Sequence, residues 1–180
     1  MRRQDNAVPD EDSGQPDDAA RLCVECGLCC NGALFTHAKL EPSETDRAPS
    51  STTTPEGGPA FHLPCPLLTD AGCSIYETRF GICRSFRCAL LRRVTAGEVG
   101  IDEGLARVAE AKRLIARATD GAPTGATIAE RLRLGPPTVS LDGDGGSTRT
   151  SAQQYLASVA VDMHLDRHFR IRNKRFGMAS

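Results

Sequence analysis

The chain has 180 residues, a formal net charge of −1, no tryptophan, two tyrosines and six phenylalanines. This length suits one domain with tails, and the scarcity of aromatic side chains limits the area that a hydrophobic core can bury. The balanced charge gives no reason to expect nucleic acid or a membrane surface as a partner. No stretch reaches the roughly 18 uninterrupted apolar residues of a membrane-spanning helix. Eight cysteines are the feature that points to chemistry.

The front of the chain has two predicted parts. Residues 1–20 hold six acidic residues against two arginines and no apolar run, so we expect a disordered acidic tail rather than an export signal. Residues 21–92 contain every cysteine and are expected to form a metal-binding cysteine-cluster region. A chain without an export signal is expected in the cytoplasm, where thiols stay reduced. A dense set of cysteines there indicates metal or redox chemistry rather than disulfides.

The second half of the chain has helical patterns. Apolar residues at helical spacing over 101–118 predict an amphipathic helix, and residues 93–140 are expected to pack on the cysteine region. Residues 141–150 are rich in Gly, Asp, Ser and Thr and predict a linker. A capping-box pattern that opens at Ser151 predicts a C-terminal helix with a basic tail over 151–180. We therefore expect a small, mainly α-helical, irregular, metal-stabilised and cysteine-rich fold with a helical C-terminal half and little sheet.

The most informative string is Cys23-x-x-Cys26-x-x-Cys29-Cys30. Thiolates two residues apart on a tight turn can bind one ion, and three at this interval are typical of the bacterial ferredoxin loop, which gives three thiolates to one iron–sulfur cluster. Structural zinc sites usually take two ligands from each of two separate turns. The ferredoxin pattern breaks at Cys30, so a fourth ligand must come from elsewhere. Cys65, which is followed by proline, is one candidate.

Cys29 and Cys30 are adjacent, and neighbouring side chains in an extended segment point to opposite faces. They are therefore not expected to share one metal ion: either they bind two different centres, or one of them only packs. Eight cysteines at four per centre would give two centres. Cys30 and Cys88 are the first candidates for a purely packing role, since a free cysteine is often a small buried hydrophobe.

Arginines are interleaved with the later cysteines. Four thiolates around a divalent ion leave a negative centre, and nearby guanidinium groups can offset that charge and donate hydrogen bonds to sulfur. The alternative for each arginine is a solvated surface charge. The arginines considered are Arg79, Arg84 and Arg87. The metal-binding candidates are Cys23, Cys26, Cys29, Cys30, Cys65, Cys73, Cys83 and Cys88.

The four histidines are weaker candidates. His37 and His62 lie inside the cysteine region and could replace a thiolate. His164 and His168 have the i, i+4 spacing that can chelate, but they do not form a His-Glu-x-x-His motif, so we expect ordinary surface histidines. The basic residues 167–175 are expected to be a solvated helix end.

These motifs resemble the YkgJ-type cysteine-cluster (CxxCxxCC) family, whose members are described as zinc- or iron-chelating. The resemblance covers about residues 20–90. It is carried, in order, by Cys23-x-x-Cys26-Gly27-x-Cys29-Cys30, Pro64-Cys65-Pro66-Leu67-Leu68, Gly72-Cys73-Ser74-Ile75-Tyr76-Glu77-x-Arg79 and Cys83-Arg84-x-Phe86-x-Cys88. It implies that all eight cysteines belong to one pattern. Phe80 departs from the family, which commonly has proline after the arginine, and this is expected to loosen a turn without removing a ligand.

Three functions are compatible with these patterns. The first is a metal-chelating protein with an iron–sulfur cluster, [4Fe–4S] favoured, in a structural or electron-transfer role, because three thiolates come from one short loop. The second is a structural zinc protein that presents its helices to a protein partner. The third is a metal-dependent or thiol-redox enzyme. The sequence shows neither a thioredoxin-like context nor an arranged acid, base or nucleophile, so no catalytic residue is assigned.

Overall fold

The computed structural model describes residues 16–49, 52–54, 57–120, 128–132 and 145–171. Within these ranges the chain forms six α-helices, two small sheets and two short 3₁₀ helices. The α-helices are α1 Pro16–Cys26, α2 Gly81–Ser85, α3 Ala89–Thr95, α4 Ile101–Thr119, α5 Ile128–Leu132 and α6 Gly145–His168. The predicted fold class, a cysteine-rich and mainly α-helical protein with a helical second half and little sheet, is confirmed.

The strands are short and lie in the cysteine region. β1 His37–Lys39 and β2 Thr52–Thr53 both pair antiparallel with the central strand β3 Pro59–His62. β4 Leu68–Thr69 and β5 Gly72–Cys73 form a second, antiparallel pair. Strands of two to four residues bury little surface, so their main effect is to order the turns between the cysteines. The 3₁₀ helices, Pro42–Arg47 and Tyr76–Thr78, lie in the same region.

A first hydrophobic core joins the helices to the beginning of the cysteine region. α4 packs against α1 and α6, and α3 packs against α1. Each helix contributes apolar side chains at helical spacing, as the pattern over 101–118 predicted for α4. The largest buried members of this core are Leu22, Leu28, Leu90, Leu91, Val94, Val99, Val108, Ile115, Val161, Leu165 and Phe169.

A second, smaller core lies between the three-stranded sheet and α2. It consists of Leu40, Phe61, Leu63 and Phe80, and the rings of Phe61 and Phe80 lie 5.3 Å apart between centroids. Phe80 is only 2% exposed. The sequence interpretation of Phe80 as a change that loosens a turn therefore missed its contribution to the core.

Two helices begin earlier than the sequence predicted. α1 starts at Pro16, so residues 16–20 of the predicted disordered tail are helical. α6 starts at Gly145, so residues 145–150 of the predicted linker are helical and Ser151 lies inside the helix rather than at its cap. Once a helix is nucleated and packed on a neighbour, each further residue adds one hydrogen bond at a small cost in propensity.

The remaining residues of those two predictions, 1–15 and 141–144, lie outside the described ranges. None of the described helices is both long enough and apolar enough to cross a membrane.

Candidate metal centre

The first cysteines lie at the end of α1 and in the turn that follows. Cys23 and Cys26 belong to the last turn of the helix. Gly27 has a φ of 63°, the left-handed conformation that often follows a helix and that glycine adopts without strain. The carbonyl of Gly27 accepts a hydrogen bond from the amide of Cys30 at 3.0 Å. The sequence therefore ends the helix so that Cys29 and Cys30 lie in a tight turn beside it.

Cys88 comes from a distant part of the chain and lies in the same region of the fold as Cys23 and Cys26. It is the N-cap residue of α3, and its Sγ accepts a hydrogen bond from the amide of Leu91 at 3.3 Å. Because α3 packs on α1, the side chain of Cys88 meets the same hydrophobic core as Cys23 and Cys26.

Cys65 is held by a backbone contact with the turn that contains Cys30, and Cys73 lies in a strand that packs on α1. The amide of Cys65 donates a hydrogen bond to the carbonyl of Cys30 at 2.7 Å. Cys73 follows Gly72, whose φ is 104°. A Cβ at Gly72 would lie 3.2 Å from the carbonyl oxygen of Val24 in α1. Glycine at this position thus lets β5 approach α1 closely.

Cys83 lies in α2, which begins at Gly81. The amide of Gly81 donates a hydrogen bond to the buried carboxylate of Glu44 at 2.8 Å. The other oxygen of this carboxylate accepts the amide of Glu41 at 3.1 Å. Sequence reasoning missed Glu44. A signal was present, because Glu44 is the third residue of a short helix with a proline at its start, where a glutamate commonly bonds back to the cap.

These elements bring all eight cysteines to one cavity of about 850 Å³. Every one of the eight thiols is free and half-buried. The cavity lining also includes His37, Arg79 and Arg87, together with apolar side chains from both cores. The lining cysteines are Cys23, Cys26, Cys29, Cys30, Cys65, Cys73, Cys83 and Cys88.

Two overlapping sets of thiols are defined by the neighbours that raise the pKa of each thiol, and Cys30 also interacts with Cys26 and Cys29 of the other set. In the first thiol set each pair interacts electrostatically, and the same holds for the second. The first thiol set is Cys23, Cys26, Cys29 and Cys88. The second thiol set is Cys30, Cys65, Cys73 and Cys83. Cys65, one candidate in the sequence for the fourth ligand beside the first three cysteines, raises the pKa of the Cys30 thiol, whereas Cys88 raises the pKa of the Cys26 and Cys29 thiols.

Burial favours the neutral form of most of these thiols by raising their pKa. Burial is the largest cause of a raised pKa at Cys26 and Cys30, each to about 12, and at Cys83, to about 11. Neighbouring thiols of the same set raise these pKa values further. Burial also raises the pKa of Cys23, Cys29, Cys65 and Cys88. Metal ions bind thiolates, so an incoming cation would have to displace protons from this cavity.

The arginines differ in their relation to the cavity. The charge of Arg79 lowers the pKa of the Cys23 and Cys83 thiols, and that of Arg87 lowers the pKa of Cys23, against the larger effect of burial. The guanidinium carbon of Arg79 lies 3.5 Å from the ring centroid of Tyr76. Its Nε is buried without a hydrogen-bond partner among the described residues. Arg84 is exposed and is not part of the cavity lining.

The histidines do not gather around one point. His37 lines the cavity and has its Nδ1 3.2 Å from the hydroxyl of Thr36, whereas His62 is exposed. The rings of His164 and His168 lie 4.7 Å apart on α6, and Nε2 of His164 lies 3.0 Å from the carbonyl oxygen of Arg107. In the part of the chain that the structure describes, no three His, Cys, Asp or Glu side chains are grouped so that they could hold one metal ion.

The donor chemistry of the cavity nevertheless fits a metal held by thiolates. Eight sulfur donors line one cavity, and Arg79, which also lines it, has a buried Nε with no hydrogen-bond partner among the described residues. Sulfur ligands select zinc, copper(I) and iron–sulfur clusters over the hard cations magnesium and calcium. The fold and cavity therefore define a mainly helical, cysteine-rich protein with a thiol site suited to soft metals.

Comparison with known families gives the same class. Residues 22–108 match the CxxCxxCC family, described as "Putative zinc- or iron-chelating domain". Over these residues the chain is similar to the CxxCxxCC family, as the resemblance of its motifs predicted. No curated protein and no solved structure matches the chain.

Proposed function

We propose that the chain is a metal-chelating protein whose thiol cavity holds an iron–sulfur cluster, [4Fe–4S] in the favoured case, in a structural or electron-transfer role. The observation that carries the proposal is the convergence of all eight cysteines on one cavity. The cluster would supply redox chemistry, or the energy to hold the surrounding turns in place. Thiolates of the cavity would bind it, four to a cluster, and Arg79 and Arg87 would offset its negative charge.

Iron–sulfur is favoured over zinc by the spacing of the first ligands. Cys23, Cys26 and Cys29 follow one another at two-residue intervals, and all three belong to the first thiol set. Three thiolates at two-residue intervals are typical of ferredoxin-like clusters, although here Cys23 and Cys26 lie in the last turn of α1 and only Cys29 lies in the turn that follows. A site of this kind requires reduced thiols, so we place the protein in the cytoplasm.

A structural zinc protein is the second candidate. The specific observation in its favour is that each thiol set has four members, the number of ligands in a closed zinc site. Zinc has no redox activity, so this protein would act through its surface, with the exposed sides of α4 and α6 available to a protein partner.

The deciding experiment is elemental analysis of protein purified without oxygen, combined with an absorbance spectrum. An iron–sulfur protein would be brown and would contain iron and acid-labile sulfide in similar amounts. A colourless protein with stoichiometric zinc would select the second candidate. Material that holds neither metal as purified, and binds neither on reconstitution, would overturn the metal-chelating function itself.

A further inference from the structure

We propose that the thiol cavity takes up its metal from a small, anionic thiolate complex, and that Arg87 and Arg92 at its rim form the surface at which this complex enters. The inference rests on the proposed metal-chelating function and deepens it, because it states the form in which the metal arrives. It implies that the rate of metal uptake depends on the charge of the donor complex.

The first support is the sign of the charges around the cavity. Among the described residues, five cationic side chains line it against one carboxylate, that of Asp162. This carboxylate accepts a hydrogen bond from Arg170 at 2.9 Å, so these two charges offset each other and four cations remain. A free divalent cation would be repelled here, whereas an anion would be attracted. The five cationic residues are Lys39, Arg79, Arg87, Arg92 and Arg170.

The second support is the position of two of these cations beside Cys88, the N-cap residue of α3. Arg87 directly precedes Cys88, and Arg92 follows it by about one helical turn. Both arginines are exposed and both line the cavity, so they lie where the cavity meets the solvent. A donor complex that arrives from this side would meet these two charges before it reaches the thiol of Cys88.

The third support is that Arg87 and Arg92 are held by backbone carbonyls rather than by carboxylates. Nη1 of Arg87 donates to the carbonyl oxygen of Phe86 at 3.1 Å, and Nε of Arg92 donates to that of Arg87 at 3.1 Å. Neither arginine forms an ion pair with a described residue, so their charge is available to an anion from outside. The arginines that do form such ion pairs are Arg21, Arg93, Arg107, Arg113 and Arg170.

The transfer itself is a ligand exchange that needs no oxidant or reductant. A bond between the metal and a donor sulfur breaks, and a bond between the metal and a cavity sulfur forms. The proton of the cavity thiol passes to the released donor thiolate, and the metal keeps its oxidation state. Four thiolates around a divalent ion carry a net negative charge, which is the charge that the rim attracts. A cavity of about 850 Å³ has room for a small complex of this kind.

The test uses two zinc complexes that share sulfur ligation and differ in charge. Zinc with two thioglycolate ligands is a dianion, whereas zinc with two cysteamine ligands in the thiolate form is neutral. Metal-free full-length protein is mixed with each complex without oxygen, and protein-bound zinc is measured at intervals after rapid gel filtration. The rim variant is Arg87→Gln/Arg92→Gln. The control is Arg113→Gln/Arg117→Gln, which removes the same charge from exposed positions of α4 outside the cavity lining.

Entry past Arg87 and Arg92 predicts that the rim variant takes zinc from the dianion about 10-fold more slowly than wild type, and from the neutral complex less than about 2-fold more slowly. The control variant should stay within about 2-fold of wild type with both complexes. If these arginines only stabilised bound thiolates, both complexes would be affected equally, because the loaded site is the same. An equal effect on both complexes, or none on either, would therefore overturn the entry surface and leave the metal-chelating function intact. Wild-type protein that takes zinc from neither complex, and carries no iron or zinc as purified, would overturn both.

A second measurement on wild-type protein does not depend on how the variants fold. Salt screens the attraction between an exposed charge and an approaching anion. Uptake from the dianion should therefore slow by about 3-fold or more between about 0.02 M and about 0.2 M potassium nitrate, whereas uptake from the neutral complex should change by less than about 2-fold. The same dependence on salt for both complexes would contradict the proposal.

Discussion

The buried carboxylate of Glu44 accepts a hydrogen bond from the backbone amide of Gly81 at 2.8 Å, across 37 residues of sequence. Gly81 is the first residue of α2, the helix that carries Cys83. The same carboxylate bonds the amide of Glu41 at 3.1 Å. One side chain therefore joins the 3₁₀ helix Pro42–Arg47 to the second thiol set.

Replacement of Glu44 by alanine is expected to lower the free energy of unfolding by about 2–3 kcal/mol, because hydrogen bonds to a charged group are worth about 1.5–3 kcal/mol and two amides lose their acceptor. Urea unfolding measures the change. Glu77→Ala is the matched control: Glu77 is exposed in the other 3₁₀ helix, and its loss should cost no more than about 0.5 kcal/mol. Similar losses for both variants would show that Glu44 does not hold α2.

The sequence predicted the existence of the site better than its internal arrangement. The resemblance of the motifs to a cysteine-cluster family implied that the eight cysteines belong together, and the period of apolar residues located α4 within one residue of its observed end. The pairing of thiols depends on long-range packing, since Cys88 meets the first set only because α3 packs on α1. No pattern in the local sequence predicts the packing of α3 on α1. Strands such as β4 and β5 are too short to show an alternating period.

The aromatic pair in the second core gives a further prediction. Phe80→Ala should lower stability by about 3 kcal/mol, the lower end of the cost of truncating a buried phenylalanine. Phe80→Pro should cost a similar amount, although the φ of −57° at this position suits proline. Phe86→Ala is the control, because Phe86 is only half-buried. If Phe80→Pro is as stable as wild type, the backbone of this turn outweighs the packing of the ring on Phe61.

Removal of the metal should destabilise the second hydrophobic core more than the first. The second core has four buried members and lies beside the second thiol set, whereas the first is built mainly from α4, α6 and their neighbours. Structural metal sites contribute about 10–16 kcal/mol of apparent binding free energy, comparable to the net stability of a whole domain. We therefore expect chelation to increase amide exchange strongly in β3 and α2.

Hydrogen exchange with mass spectrometry, with and without chelator, measures this difference. The amides of α4 that face α6 are the internal reference and should stay protected, because their packing needs no metal. A related prediction is that Cys26→Ser makes residues 23–88 sensitive to proteolysis while part of the helical half stays resistant. Unchanged exchange in β3 after complete removal of metal would contradict a stabilising role for the site.

The raised pKa values predict that metal-free protein loses stability in alkaline solution. The pKa of the Cys26 and Cys30 thiols is about 12 and that of Cys83 about 11 in the folded state, against an ordinary value of 9.0. Between these values the folded chain keeps protons that the unfolded chain has released. The stabilising contribution is therefore complete below pH 9 and is lost as the pH rises toward 12.

Urea unfolding of metal-free protein at about pH 8 and about pH 10.5 tests the sign of this effect. The stability should fall between these pH values, and it should fall less in Cys30→Ser/Cys83→Ser, which has two fewer buried thiols to titrate. Metal affinity should change in the opposite direction and rise with pH, because binding releases protons. Metal-free protein that gains stability in the alkaline range would show that the thiols are already ionised at neutral pH.

Arg79 and Arg84 provide a matched pair for the electrostatics of the site. Arg79 lines the cavity, lowers the pKa of a thiol in each set and has a buried Nε without an acceptor among the described residues, whereas Arg84 is exposed outside the cavity. Removal of a partner that stabilises the ligands of a metal typically costs about 10–100-fold in affinity. Arg79→Gln should show a loss of this size in competition with a chelator, and Arg84→Gln a loss below about 2-fold.

Arg79→Lys separates the charge of this residue from its geometry. Lysine keeps the positive charge but lacks both the planar group that stacks on Tyr76 and the Nε donor. An intermediate affinity is therefore expected if Arg79 acts through charge and through a hydrogen bond to sulfur. Circular dichroism of the metal-free variants checks that the helices are intact. Equal affinities for Arg79→Gln and Arg84→Gln, with both variants folded, would mean that the cavity balances the charge of its thiolates without Arg79.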